Sequence, residues 1–282
     1  MDTTAIKARE LASWKKVAPG WVKHAPTLTK LFSPVTERMF ELVNLRAGQR
    51  VIDIACGAGD PAIPAAQRVG RLGRVWGVDF ADEMVNHAYE RAQQLGLANI
   101  DFQHVDAETL QVPGNIFDVC TMRWGLMFMP EPERCLNAAH AALQDNGKIV
   151  LTCWAAPEKN PWAAIPISII KNYVEVPQPA PGATGIFAFA DPERIRSVMQ
   201  SAGFRNVQIE AFEVQGADAT TGEEYFTMVR EIAGPLVALL AKVPAQDQAK
   251  LASEVAHAAE AASTVKGRVC LPGVTWIASA EI

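Results

Sequence analysis

Several common signals are missing from this chain, and each absence excludes a class of partner. No apolar run reaches the ~18 residues that a membrane-spanning helix needs. The 282 residues carry 26 Lys and Arg against 31 Asp and Glu, giving a formal net charge of −5. The basic residues form no cluster, so the electrostatic footprint of a nucleic-acid binder is absent and no nucleic-acid partner is expected. Cysteine is sparse, with 5 residues at 56, 120, 135, 153 and 270. None forms a Cys-x-x-Cys pair and no Cys/His spacing suits zinc, so no metal is expected. An odd, dispersed set of thiols fits a reducing, cytoplasmic compartment. Cys120 and Cys153 lie in apolar runs and read as small core residues. The first fourteen residues are charged and helix-like, unlike a secretory signal. Internal repeats and coiled-coil heptads are also lacking.

What is present is enough apolar content, 49%, to fill a core. The length suits one large domain or a domain with a lid. Residues 3–45 read as helices, with Ser33-Pro34 as an N-cap and first-turn proline for a helix over 35–45. From Gln49 onward the pattern alternates. Strands are expected at 51–55, 74–78, 100–105, 117–122 and 148–154, and helices at 62–69, 83–95 and 132–143. Asp82 is expected to cap helix 83–95 and Gly96 to close it. Such alternation argues for an α/β fold with a doubly wound, mostly parallel sheet.

Beyond Trp154 the texture changes. Residues 155–190 are rich in proline and glycine, including Val-Pro-Gln-Pro-Ala-Pro-Gly at 176–182, and read as a lid insertion. Asp191-Pro192-Glu193 opens a further helix that Gly203 ends. A sixth strand at 207–214, a helical stretch at 221–264 and a seventh strand at 268–280 follow. The helical stretch is expected in two pieces, broken near Gly234-Pro235 and Pro244. Four parts are therefore expected: a helical cap over 1–45, a ligand-binding core over 46–154, the lid over 155–190, and the rest of the core over 191–282. The helical insertion 221–264 either caps a pocket or forms a homodimer surface.

Residues 51–60, Val-Ile-Asp-Ile-Ala-Cys-Gly-Ala-Gly-Asp, are the richest in information. A strand runs into a tight small-residue turn, and an Ala-rich helix follows Asp60-Pro61. Such a turn brings backbone N–H groups and a helix N-terminus close to a ligand. Asp53 sits inside the apolar strand, where a buried carboxylate is costly unless a cation or a donor meets it. Successive strand ends then carry Gly57 and Gly59, Asp79, Asp106 and Arg123-Trp124. In an open α/β sheet those ends form the ligand crevice. Asp79 is placed to accept from two ribose hydroxyls, and Asp106 from an exocyclic amine. The dinucleotide fingerprint Gly-x-Gly-x-x-Gly is not met, because Pro61-Ala62 stands where the third glycine would be. Asp60 would also repel a pyrophosphate. A cationic ligand without a pyrophosphate suits these acids better.

The ordered motifs resemble a known family. With the 51–60 stretch go Gly-Val-Asp-Phe-Ala-Asp-Glu-Met at 77–84, Val-Asp-Ala-Glu at 105–108, Phe-Asp at 117–118 and Leu-Gln-Asp-Asn-Gly-Lys at 143–148. Over residues 35–155 the chain is similar to class I S-adenosylmethionine-dependent methyltransferases, in the manner of the ubiquinone/menaquinone-biosynthesis C-methyltransferases. It departs from the commoner Gly-x-Gly-x-Gly turn at Ala55 and Asp60. The resemblance implies a Rossmann-like seven-stranded sheet, S-adenosyl-L-methionine as cofactor and a small-molecule acceptor. It also implies roles. The turn from Ala55 through Gly57 to Gly59 would lie against the methionine moiety, with Asp53 ordering the turn and the amino group. Asp79 would bind the ribose, Phe80 and Met84 would pack on adenine, and Asp106 and Ala107 would read its edge, with Glu108 a further cofactor-binding candidate. The Arg123 backbone would border the methyl-transfer centre.

For the acceptor, Trp21, Trp124, Met127, Trp154 and Trp162 are the candidate pocket residues, since an aromatic, water-poor pocket favours an apolar or aromatic compound. His24, between Trp21 and Pro26, is the candidate general base. His87 and His140 read as packing residues. Methylation at carbon or oxygen is expected. Other chemistry on the same fold, and a noncatalytic binding module, are the alternatives.

Overall fold

Short apolar runs between turns assemble into a seven-stranded sheet in a computed structural model of the chain, which describes residues 3–112, 114–177, 180 and 182–282. The strands are β1 (Arg50–Ile54), β2 (Arg74–Asp79), β3 (Ile100–His104), β4 (Phe117–Arg123), β5 (Leu143–Trp154), β6 (Arg205–Ala219) and β7 (Val269–Glu281). Their order is β3-β2-β1-β4-β5-β7-β6. The first five neighbours pair in parallel, and β7 runs antiparallel to both β5 and β6. β1 is central and buried from Val51 to Ile54, as expected of a parallel strand covered on both faces. Chain order reverses where β1 lies between β2 and β4, and ligands bind outside the carboxyl ends at such a switch point.

The helices are α1 (Thr3–Val43), α2 (Ala62–Val69), α3 (Asp82–Gln94), α4 (Pro132–Ala142), α5 (Pro161–Ile170), α6 (Pro192–Ser201), α7 (Gly222–Ile232), α8 (Gly234–Leu240) and α9 (Gln248–Ala261). Asp191 caps α6 by accepting from the Glu193 amide at 2.9 Å. α5, α7, α8 and α9 build a second apolar cluster around Ile170, Tyr225, Val229, Leu236, Leu251 and Val255, next to the larger core of the sheet. Among the described residues no helix is long and apolar enough to cross a membrane.

Four local expectations need correction. α1 is one helix that passes through Pro19, Pro26 and Pro34. Ser33 does not cap a second helix; its hydroxyl donates back to the Lys30 carbonyl at 2.9 Å. An interior proline costs about 3 kcal/mol. Burial of Val17, Leu28, Phe32, Val35, Met39, Phe40 and Val43 stabilises by about 1.5–3 kcal/mol each, and outweighs three prolines. Asp82 lies inside α3, whose N-cap is Ala81, because its carboxylate is drawn to Lys15 of α1 at 2.6 Å. The stretch 221–264 holds three helices, not two. Residues 155–190 include the regular helix α5. Gln178, Pro179 and Pro181 of the proline-rich stretch lie outside the described residues, as do Met1, Asp2 and Pro113.

α1 packs on α7 so closely that a Cβ on Gly20 would stand 2.1 Å from the Glu231 carbonyl oxygen. Helix propensity alone predicts that Gly20→Ala stabilises by about 0.5–1 kcal/mol. The contact predicts the opposite sign, a loss of about 1–3 kcal/mol. Thermal unfolding decides: the variant should melt below the wild type, and a raised Tm would contradict the close packing.

Candidate active site

Two turns meet above the centre of the sheet. After β1 the chain turns sharply, with positive φ at Ala55 (57°), Gly57 (52°) and Gly59 (103°). After β4, Trp124 is also left-handed at φ 58°. A non-glycine residue in that region is uncommon and strained, and such strain gathers at functional sites. The turns press together: a Cβ on Gly125 would lie 2.5 Å from the Cβ of Ala55. Over them opens a cavity of ≈ 250 Å³.

One half of the cavity is acidic. Asp79, at the end of β2, accepts from the Gly57 amide at 2.9 Å and from the Ala81 amide at 2.9 Å. Burial pushes its pKa up, while those amides pull it down. Each carboxylate oxygen keeps a lone pair for a further donor. Asp106 follows β3 and accepts from the Glu108 amide at 2.9 Å. Lys7 of α1 reaches both acids, with its Nζ 2.7 Å from Asp106 and also in contact with the buried Glu108. Glu108 in turn accepts from the Glu131 amide. Phe80 and Met84 line this half as well.

Asp53 lies beneath the turn and is fully buried. Its Oδ1 accepts from Thr121 at 2.7 Å, and Oδ2 is buried with no hydrogen-bond partner. Burial pushes its pKa from 3.8 to about 7, against the Thr121 hydrogen bond and the Arg123 charge. At the β4 end, Arg123 faces the cavity and donates to Thr36 of α1 at 2.7 Å. Asp60, beside the turn, accepts from Thr29 at 2.8 Å and from Arg91 at 3.1 Å.

The other half is aromatic. Trp124 stacks on Trp154 with centroids 4.4 Å apart and an interplanar angle of 10°. Phe32 meets Trp124 edge-on at 4.6 Å, and Trp162 meets Trp154 at 4.7 Å. Trp14 contacts Trp21 at 6.1 Å and Phe128 at 5.0 Å. The indole N–H of Trp21 is bonded to the Ile232 carbonyl, that of Trp124 to Thr275, and that of Trp162 to Asn160. These three rings therefore present apolar faces. Asn160 is fully buried and holds the ends of β5 and β7 together through Ala155 and Val274.

The sequence profile of the methyltransferase domain family matches residues 45–176. Those residues are a methyltransferase domain. Methyltransferases, the broader group implied by the motifs, are what the comparisons return. An aklanonic acid methyltransferase of Streptomyces sp. (strain C5) is 32% identical over 49% of this chain and 64% of its own length. The chain thus spans less than two thirds of that relative. A ubiquinone/menaquinone biosynthesis C-methyltransferase of Cronobacter sakazakii is 28% identical over 58% of this chain and 69% of its own. A crystal structure of a SAM dependent methyltransferase from Aquifex aeolicus shares the fold, with TM-score 0.52 and 22% identity over 70% of this chain and 92% of that one.

The cavity gathers most of the residues singled out from sequence. Ala55, Gly57, Asp79, Phe80, Met84, Asp106, Ala107, Glu108 and Arg123 line it, and so do Trp21, Trp124, Met127, Trp154 and Trp162. Three do not. Asp53 supports the turn from below. Gly59 packs on Ile63, where a Cβ would come within 2.6 Å of Cδ1. His24 is partly buried, its Nε2 2.6 Å from Glu231 of α7, and it does not line the cavity. The ring is held in a link between α1 and α7, alongside Lys23, rather than among the cavity residues. Lys7, Glu10, Phe32 and Arg91 also line the cavity and were not singled out from sequence.

The raised pKa of Asp53 makes a signed prediction. The folded protein holds this proton up to about 7, whereas the unfolded chain releases it near 3.8. Stability should therefore fall as pH rises through that interval. Asp53→Asn removes the titration, so its stability relative to wild type should improve by about 1–4 kcal/mol between pH 5 and pH 8. Denaturant unfolding at both pH values measures it, and an equal difference at the two would contradict the assignment.

Proposed function

We propose that this chain transfers the methyl group of S-adenosylmethionine to an apolar or aromatic small molecule, at carbon or oxygen. The observation that carries the reading is the division of one cavity into an acidic half and an aromatic half, with the two strained turns between them. The residues fit the cofactor. Asp79 retains acceptor capacity beside an ordered turn, and a Cβ on Gly57 would meet nothing within 4 Å, so the turn is open above that glycine.

When bound, S-adenosylmethionine supplies an electrophilic methyl group on sulfonium sulfur. The residues of the chain do the rest. Asp79 accepts from the ribose hydroxyls, while Asp106, Ala107 and Glu108 read the adenine edge. Phe80 and Met84 hold the adenine faces. Trp21, Trp124, Met127, Trp154 and Trp162 exclude water and orient the acceptor, so positioning supplies most of the rate. Among the described residues no histidine lines the cavity, and its acids Glu10, Asp60, Asp79, Asp106 and Glu108 all have partners. This favours an acceptor that arrives already nucleophilic, such as an enolate or a phenolate.

Names of relatives point the same way: one acts on aklanonic acid, and another is named for ubiquinone and menaquinone biosynthesis. An oxygenated aromatic or polyketide-like acceptor is the class we favour. Of the two roles open for 221–264, pocket cap is better supported than homodimer surface, because Met228, Val229, Ile232 and Leu236 line the cavity. Five buried, unpaired cysteines support a cytoplasmic enzyme.

Calorimetry and product mass test the reading. Asp79→Ala should weaken S-adenosylmethionine by about tenfold or more, and Asp79→Asn by less. Incubation with aromatic enols should give a product heavier by one CH2. Unchanged affinity in Asp79→Ala would remove the ribose assignment. Cofactor-dependent turnover without the mass gain would favour other chemistry on this fold.

A further inference from the structure

We propose that the Arg123 side chain holds the carboxylate at the amino-acid end of S-adenosylmethionine. This rests on the cofactor reading above and adds a residue role to it.

The first argument is the order of groups along the crevice. Strands β3, β2, β1 and β4 are successive neighbours. Their carboxyl ends carry Asp106, then Asp79, then the turn, then Arg123. Three inter-strand spacings span about 14 Å. The hydroxyls and amine of an adenosine group donate hydrogen bonds, so acids suit that end. The opposite end of the ligand carries a carboxylate, and the strand end that remains for it presents a guanidinium.

The second argument is the state of that guanidinium. It is partly accessible and lines the cavity. Its Nη1 donates to Thr36, and among the described residues it makes no other hydrogen bond and no ion pair. Its Cζ stands over the Trp124 ring, 5.2 Å from the centroid, and over the Phe32 ring, 5.8 Å from the centroid. The group is therefore held in place with most of its five donors unused, the arrangement that suits bidentate capture of a planar anion.

Charge balance is the third argument. Asp60, whose charge acts on Arg123 from the cavity side, is already bonded to Arg91 and Thr29. Asp53, below the turn, is pushed toward its neutral form. Two arginines thus face one committed anion at this end. An arginine without a counter-ion, partly withdrawn from water among aromatic rings, is costly, and a carboxylate from the ligand would remove that cost. Among the described residues, the aromatic half of the cavity offers no comparable cation.

The test compares S-adenosylmethionine with decarboxylated S-adenosylmethionine, which keeps the sulfonium and loses only the carboxylate. Calorimetry on the full chain should show wild type preferring the complete cofactor by about tenfold or more. Arg123→Met should bind both ligands alike, near the wild-type affinity for the decarboxylated one, and Arg123→Lys should keep part of the preference. Equal binding of the two ligands by wild type would overturn the proposal, even if the methionine variant does not fold. A preference that survives in Arg123→Met would also overturn it, as would an equal loss for both ligands. The same holds if the preference survives and only the KM of the acceptor rises, because Arg123 would then serve the acceptor. Wild type binding neither ligand would fail the cofactor reading itself, a separate result.

Discussion

The contact between the two turns is the constraint on which the site depends. Ala55 and Gly125 approach so closely that no side chain fits on the second. Both turns hold a left-handed non-glycine residue, Ala55 and Trp124. That geometry fixes three things together. The Gly57 amide is directed at Asp79, which ties the β1 turn to the end of β2. The Trp124 amide is bonded to Thr152 and its indole to Thr275, which fixes one aromatic plane of the cavity. Arg123, one residue earlier, reaches Thr36 and so ties β4 to α1. Asp53 beneath the turn is buried with one oxygen unpartnered, a cost that the packed core around it must outweigh.

α1 is the second organising element. Lys7, Trp14, Trp21 and Leu28 recur every seven residues along one face, and all four line the cavity. Glu10, Ala25 and Phe32 fill the intervening turns of the same stripe. Its ends are fixed by polar contacts, Lys7 to Asp106 and Glu108 at one end and Thr36 to Arg123 at the other. Trp21 and Gly20 hold the middle against α7 through the Ile232 carbonyl and the close backbone approach at Glu231. The acidic half of the cavity is thus covered by a cationic residue of α1, and the aromatic half by its tryptophans and Phe32.

Alternation of apolar runs with helical segments was sufficient to read the sheet and its mostly parallel character, because strand burial on both faces leaves an unmistakable pattern in residues 51–54 and 149–154. The acidic half was legible for a local reason: Gly57, Asp79 and Asp106 each sit just at or beyond a strand end, so sequence position fixes spatial position. What stayed hidden depends on tertiary contact. Nothing local told that burial would carry α1 through three prolines, or that Asp82 would turn to Lys15. His24 has the composition of a base, but its partner Glu231 lies more than two hundred residues away in sequence. Lys7 could have been found: extending the seven-residue spacing of Trp14 and Trp21 by one step in each direction gives Lys7 and Leu28. Arg123 was assigned through its backbone, because a guanidinium held by Phe32 and Thr36 of a distant helix leaves no mark in the strand that carries it.

The most direct test of the central claim, that one cavity holds nucleoside and acceptor on opposite sides of the paired turns, is a crystal structure with S-adenosylhomocysteine. The account predicts the adenine edge at Asp106 and Ala107, the ribose on Asp79, and the thioether sulfur facing Trp124 and Met127. A nucleoside seated among Trp154 and Trp162, or bound away from the Ala55–Gly57 turn, would contradict it.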